Sequence, residues 1–176
     1  MVPERRFTTR SREETAALGE ALAEGLRPGD VVAMDGDLGA GKTAMTSGIA
    51  RGLGVRGAVS SPTFTLLIEH GAGSRRLALH HFDAYRLSGS AEFLALGFDE
   101  VLDGDGVSVV EWAERVREVL PPTAIHVIAQ RRDDEGEDLR DIRVVFPVGR
   151  ETDAALLTTR YAALRSPSAG EEGATC

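Results

Sequence analysis

Between residues 31 and 43 the chain reads Val31-Val32-Ala33-Met34-Asp35-Gly36-Asp37-Leu38-Gly39-Ala40-Gly41-Lys42-Thr43. An apolar run enters a Gly-x-x-x-x-Gly-Lys-Thr pattern, and a helix-like segment from Ala44 to Leu53 follows it. This is the strand–loop–helix context of a phosphate-binding loop. Gly36, Gly39 and Gly41 let the backbone fold back so that the N–H groups of Asp37, Leu38, Ala40 and their neighbours can point at a polyphosphate. The helix after the loop adds unpaired first-turn donors, through Ala44, and the positive end of its dipole. Lys42 has the reach for β/γ-phosphates, and the Thr43 hydroxyl suits a Mg²⁺ shell.

Lys42 is also the single lysine in a chain that carries nineteen arginines. Arginine is a broad planar fork, whereas lysine is a compact ammonium on a slim stem. A loop wrapped closely round a phosphate needs the second shape, which explains a lone lysine at this position.

The remaining sequence predicts one domain over residues 1–165 and a disordered tail over 166–176, a stretch without large apolar residues. A strand is expected around Arg6–Thr8. A helix from Arg12 to about Gly25 follows, opened by the Ser11-x-x-Glu14 capping box. After the phosphate-loop helix, alternation over 65–69 and 76–83, joined by Gly71-Ala72-Gly73-Ser74, predicts a β-hairpin. A short helix over Ser90–Leu96, a buried strand over Val107–Trp112 and a helical Ala113–Val119 come next. Two late strands, Ala124–Ala129 and Asp141–Phe146, flank a charged hairpin tip, and a helix over Thr152–Leu164 closes the pattern. Together they indicate an α/β three-layer sandwich of the P-loop NTPase kind, with a mixed, mainly parallel sheet plus an antiparallel hairpin. Ligands in such sheets sit beyond the carboxyl ends of the strands.

A phosphate loop alone specifies a nucleoside triphosphate. Hydrolysis needs a carboxylate for the Mg²⁺ shell and a group that orients water. Asp83 and Glu111 each end an apolar run, so either could be the Walker-B-type acid. Trp112, the one tryptophan, could wall the nucleotide pocket. His80 and His81 are adjacent on a strand and face opposite ways, so they would not chelate one ion together.

Composition narrows the classes further. No apolar run nears the ~20 residues of a membrane span, and Met1–Arg6 leads into no apolar leader segment. The one cysteine is Cys176, so no intrachain disulfide is expected, and a cytoplasmic, non-membrane protein is expected by elimination. A net charge of −8 disfavours gripping nucleic acid unaided. The chain has no asparagine, which removes the Asn-Lys-x-Asp guanine signature of GTPase switches. A small-molecule kinase and a nucleotide-binding scaffold without turnover remain as alternatives; the short, acid-rich loop carrying Arg131 and Arg132 is a poor kinase lid.

Four ordered motifs narrow the choice: Gly36–Thr43, Ser61-Pro62-Thr63-Phe64, His81-Phe82-Asp83-Ala84-Tyr85-Arg86 and Val110-Glu111-Trp112. In wording and order the chain resembles the TsaE (YjeE) family from about Phe7 to Leu164. The resemblance implies a Mg²⁺-dependent ATPase serving threonylcarbamoyladenosine formation in tRNA. Such a protein binds ATP and acts with the TsaD–TsaB heterodimer, meeting tRNA only through that complex. It further implies that Thr43 and Glu111 hold magnesium, that Lys42 and Asp83 serve catalysis, and that Thr63 belongs to a switch-like segment facing the γ-phosphate. Ser11 and Arg140 fall near positions that line the adenine pocket. Ala84 and Ala113 depart from the family's usual residues, and neither position carries a chemical group.

Overall fold

The apolar run ahead of the glycine loop is the central strand of a seven-stranded sheet. The computed structural model describes residues 2–74, 77–132 and 138–165. Its elements are β1 (Glu4–Thr9), α1 (Arg12–Ala23), β2 (Val31–Gly36), α2 (Lys42–Gly52), β3 (Leu67–His70), β4 (Leu79–Asp83) and α3 (Ser90–Ala95). Then come α4 (Phe98–Leu102), β5 (Val107–Glu111), β6 (Ile125–Arg131), β7 (Arg140–Val145) and α5 (Glu151–Arg165). A 3₁₀ stretch, Ala113–Val119, interrupted at Val116, follows β5. The strand order is β1-β7-β6-β2-β5-β4-β3. β2 runs parallel to β5 and β6, and β5 parallel to β4. β3 opposes β4, while β7 runs antiparallel between β1 and β6. Five of the seven strands therefore share one direction, so the sheet is mixed and mainly parallel.

Period-two alternation divides the central strands between two cores. Val32 and Met34 of β2, Val107 and Val109 of β5 and Val127 of β6 face α1, α2 and α5. Val31, Ala33 and Val110 face the opposite side with Phe82, Phe93 and Val116. A strand buried on both faces reads as an unbroken apolar run, which is how 31–34 appears in the sequence. The second layer rests on an aromatic cluster. Phe82 lies 5.5 Å from Phe93 and 5.3 Å from Phe98, ring centre to ring centre. Burial of Phe82 and Phe93, at about 1.5–3 kcal/mol each, with the partly buried Phe98 packed on them, holds α3 and α4, which are too short to persist on their own.

On the first face α1 and α2 approach backbone to backbone. A Cβ on Gly48 would fall 1.8 Å from the Ala16 carbonyl oxygen, and one on Gly19 would fall 2.1 Å from that of Met45. This contact sets the first turn of α1 beside the phosphate loop. At the other end of the layer, the Arg150 guanidinium donates to both Asp30 oxygens (2.9 and 3.0 Å) and to the Gly25 carbonyl (3.0 Å), and it pairs with Asp153. Asp30 above all raises the Arg150 pKa. This cluster ties α5 to the turn that precedes β2.

Most sequence expectations agree with these elements to within a residue or two. Three differ. β3 begins at Leu67 rather than at Thr65, because Thr65 and Leu66 donate to the Pro62 carbonyl in a turn and Leu66 has φ +66°. α4 was not expected. β4 begins at Leu79, later than the expected start at 76; the expected late hairpin forms as β6 and β7, and β1 adds to it antiparallel. The expected 166–176 tail, and most of the expected hairpin tip (133–137), lie outside the described residues. No helix among the described residues is long and apolar enough to cross a membrane.

Candidate nucleotide site

Register brings the chemistry to one edge. Asp83 and Glu111 are paired across β4 and β5, and Met34 of β2 is paired with Glu111. β4 and β5 thus end level, β2 runs on to Gly36, and the 37–41 loop rises from the same edge. Two loop glycines are dictated by geometry. Gly36 has φ +144°, and a Cβ there would meet the Ala129 carbonyl oxygen at 2.2 Å. Gly41 caps α2 at φ +98°, a conformation that side chains resist.

Beyond these ends lies a cavity of about 640 Å³, within the range of small-molecule sites. Leu38, Gly39, Ala40, Gly41, Lys42, Thr43 and Ala44 form its floor. Ser61, Thr63, Asp83, Tyr85, Glu111 and Trp112 stand on one side, and Arg12, Thr15, Asp138 and Arg140 on the other. The Lys42 ammonium donates to the Gly36 and Asp37 carbonyls, the latter at 2.9 Å. It also lies 3.8 Å from the centre of the Trp112 ring. Burial lowers the Lys42 pKa, opposed by nearby carboxylates led by Glu111. Trp112, held at φ +58°, packs on Tyr85 with ring centres 4.9 Å apart, and the two form the aromatic wall. Asp35 accepts the Glu114 N–H at 2.8 Å and fastens the turn just after Trp112.

The two carboxylates are both buried and differently engaged. Glu111 Oε2 accepts the Thr43 hydroxyl at 3.1 Å. One oxygen of Asp83 accepts both the Ser61 hydroxyl (2.6 Å) and the Thr63 hydroxyl (2.9 Å), and the other accepts the Tyr85 N–H (2.9 Å). Thr43 and Glu111 offer hard oxygen donors side by side, the donor type Mg²⁺ requires. Among the described residues no cluster of three or more His, Cys, Asp or Glu could hold a metal. Two protein oxygens fit an ion whose other ligands are phosphate and water.

Of the residues singled out in the sequence, the structure therefore gathers Leu38 to Ala44, Thr63, Asp83, Glu111, Trp112 and Arg140 around one cavity. Gly36 and Asp37 contribute carbonyls to Lys42 rather than lining it. Arg140 reaches the loop, donating to the Gly39 carbonyl at 3.4 Å. Ser11 does not line the cavity: its hydroxyl accepts the Glu14 N–H at 3.1 Å and caps α1. Arg12, the next residue, and Thr15, one turn further on, line it instead. Sequence reasoning missed them, and it missed the contact of His81 with Glu111, although the His81-x-Asp83 spacing already puts both on one face of a strand.

Comparison with known proteins gives a consistent result. A family model described as Threonylcarbamoyl adenosine biosynthesis protein TsaE matches residues 9–141. The tRNA threonylcarbamoyladenosine biosynthesis protein TsaE of Bacillus subtilis is 41% identical over 134 residues, covering 76% of this chain and 82% of that protein. The protein of the same name from Treponema pallidum is 42% identical over 123 residues, covering 69% and 88%. The crystal structure of Bacillus subtilis YdiB superposes with a TM-score of 0.73 at 36% identity, over 93% of this chain and 97% of that one. With the phosphate loop, the paired strand-end carboxylates and the sheet order all in place, the match over most of the chain means that this protein belongs to the TsaE family.

Proposed function

We propose that this chain binds Mg²⁺·ATP in the cavity and hydrolyses it in support of tRNA threonylcarbamoyladenosine formation, acting with a TsaD–TsaB heterodimer. The observation that carries the reading is the Thr43–Glu111 contact at 3.1 Å, directly behind a loop whose lysine is buried against Trp112.

Each residue has a definite task. The loop amides and the start of α2 hold phosphate oxygens, and Lys42 exchanges its carbonyl partners for them. Thr43 and Glu111 would hold Mg²⁺, which when bound neutralises charge on the β- and γ-oxygens. Asp83 fixes the Ser61 and Thr63 hydroxyls at the mouth of the cavity, where Thr63 can orient the attacking water. Trp112 and Tyr85 exclude bulk solvent from that side. The charge of −8 favours holding tRNA through the partners rather than directly.

Equilibrium binding of ATP to the wild-type chain and to Thr43→Ala, with and without Mg²⁺, tests this. Wild-type binding should tighten with Mg²⁺. Thr43→Ala should lose that gain, on the order of ten- to a hundred-fold, as when a metal site is disturbed, while keeping its metal-free affinity. Wild-type Mg²⁺ dependence in the variant would remove Thr43 from the metal shell. Absence of ATP binding by the wild type would overturn the whole reading.

A further inference from the structure

His81 takes no part in the chemistry above, yet it is placed against the centre of the site. Its Nε2 lies 2.8 Å from Glu111 Oε1, and the two side chains are 0% and 3% exposed. A carboxylate offers only acceptors, so Nε2 carries the hydrogen and donates. The other ring nitrogen, Nδ1, is buried and has no hydrogen-bond partner among the described residues. The strand neighbours of His81 in register are Val109 and Ile68. An apolar side chain would pack between them without burying an unpaired Nδ1, but it would take the closest donor away from Glu111 Oε1. What the histidine adds is its bond to Glu111.

That bond divides the work of the carboxylate. Oε2 faces Thr43 at 3.1 Å, while Oε1 accepts from His81 at 2.8 Å and lies 3.4 Å from the Thr46 hydroxyl. Thr46 is closer to the Lys42 carbonyl, at 3.0 Å, so His81 is the stronger hold on Oε1. We propose that His81 is a positioning residue: by holding Oε1 it fixes the rotation of the Glu111 carboxylate and presents Oε2 beside the Thr43 hydroxyl as a ligand pair for the divalent cation. This role rests on the Mg²⁺·ATP reading. It also gives the His81-x-Asp83 pair a shared logic, since one residue orders Glu111 and the other orders Ser61 and Thr63.

Two amide substitutions separate positioning from packing. His81→Gln can return an N–H donor near the Nε2 position, whereas the shorter His81→Asn places its amide nearer Nδ1. The readout is the ratio of ATP dissociation constants without and with Mg²⁺, measured on the full chain alongside thermal unfolding. His81→Asn should shrink that ratio on the order of ten- to a hundred-fold, the usual effect of removing a partner behind a metal ligand, with metal-free ATP affinity unchanged. His81→Gln should stay within roughly three-fold of wild type on the same scale. Equal behaviour of the two variants, or an unchanged ratio in His81→Asn, contradicts the positioning role while leaving the ATP site intact. Unfolding of His81→Gln assigns His81 to packing and equally contradicts it. A wild-type ratio of one removes the Mg²⁺·ATP reading, and this role with it.

Discussion

Asp83 and Glu111 face each other in register on two parallel strands, yet they hold different parts of the site. Glu111 binds the phosphate-loop helix through Thr43, and Asp83 binds the 61–63 segment through Ser61 and Thr63. The pairing places the carboxylate that holds Thr43 and the carboxylate that orders the 61–63 segment on adjacent strands of one sheet. The hold on the start of α2 and the arrangement of the 61–63 segment are thereby separable by mutation.

Asp83→Asn follows from that division. The amide keeps one acceptor oxygen, but its nitrogen cannot accept from the paired hydroxyls or from the Tyr85 N–H. ATP affinity should change little, while turnover should fall by at least about 10²-fold, the range for a misplaced proton-transfer or water-orienting group. Parallel measurement of the ATP dissociation constant and kcat checks this. A loss of affinity as large as the loss of turnover would instead place Asp83 in ground-state binding.

The close α1–α2 contact makes Gly48→Ala costly. Alanine is the better helix former by about 1 kcal/mol, but its Cβ would lie 1.8 Å from the Ala16 carbonyl oxygen. Backbone cannot yield as a flexible side chain does, so overpacking of about 1–3 kcal/mol should outweigh the propensity gain. The denaturant midpoint should fall, and ATP affinity should weaken as α2 shifts relative to Arg12 and Thr15. A raised midpoint would show that the two helices have room to part.

Glu114 supplies a pH test. Desolvation first, and then the hydrogen bond with Asp35, raise its pKa, with Lys42 acting in the opposite sense. A carboxyl group whose folded pKa is raised favours folding in its protonated form. That stability is complete below the ordinary carboxylate pKa of about 4.3 and is lost as pH rises through the folded value. Glu114→Gln stays neutral throughout. It should melt higher than wild type at pH 7, with the difference vanishing near pH 4. Thermal unfolding across that window checks the sign, and a variant less stable at pH 7 would contradict it.

Local chemistry was the part of this fold most legible in the sequence. The phosphate loop announces itself within eight consecutive residues, and β2 and β5 read as apolar runs ending in polar groups. Asp83 and Glu111 could be placed at strand ends because each closes an apolar run, whereas their lying level is set by the register of β4 and β5. α4 was not legible: five residues after Gly97 carry no helical repeat, and its shape depends on Phe98 packing against Phe82 and Phe93. The cavity wall at α1 falls on Arg12 and Thr15 rather than on Ser11 for a similar reason. Which of Ser11, Arg12 and Thr15 meets the cavity depends on how α1 lies across α2, and the Gly19 and Gly48 contacts that set this angle are far apart in sequence. His81 needed only the period-two rule and a partner on the next strand, but the partner's identity comes from register.

Steady-state hydrolysis of ATP, by the purified chain alone and with added TsaD–TsaB, tests the central claim most directly. The chain alone should turn over slowly, requiring Mg²⁺ and favouring ATP over GTP, and the rate should rise clearly when the heterodimer is added. No phosphate release under either condition, or phosphoryl transfer to a small-molecule acceptor in place of water, would contradict it.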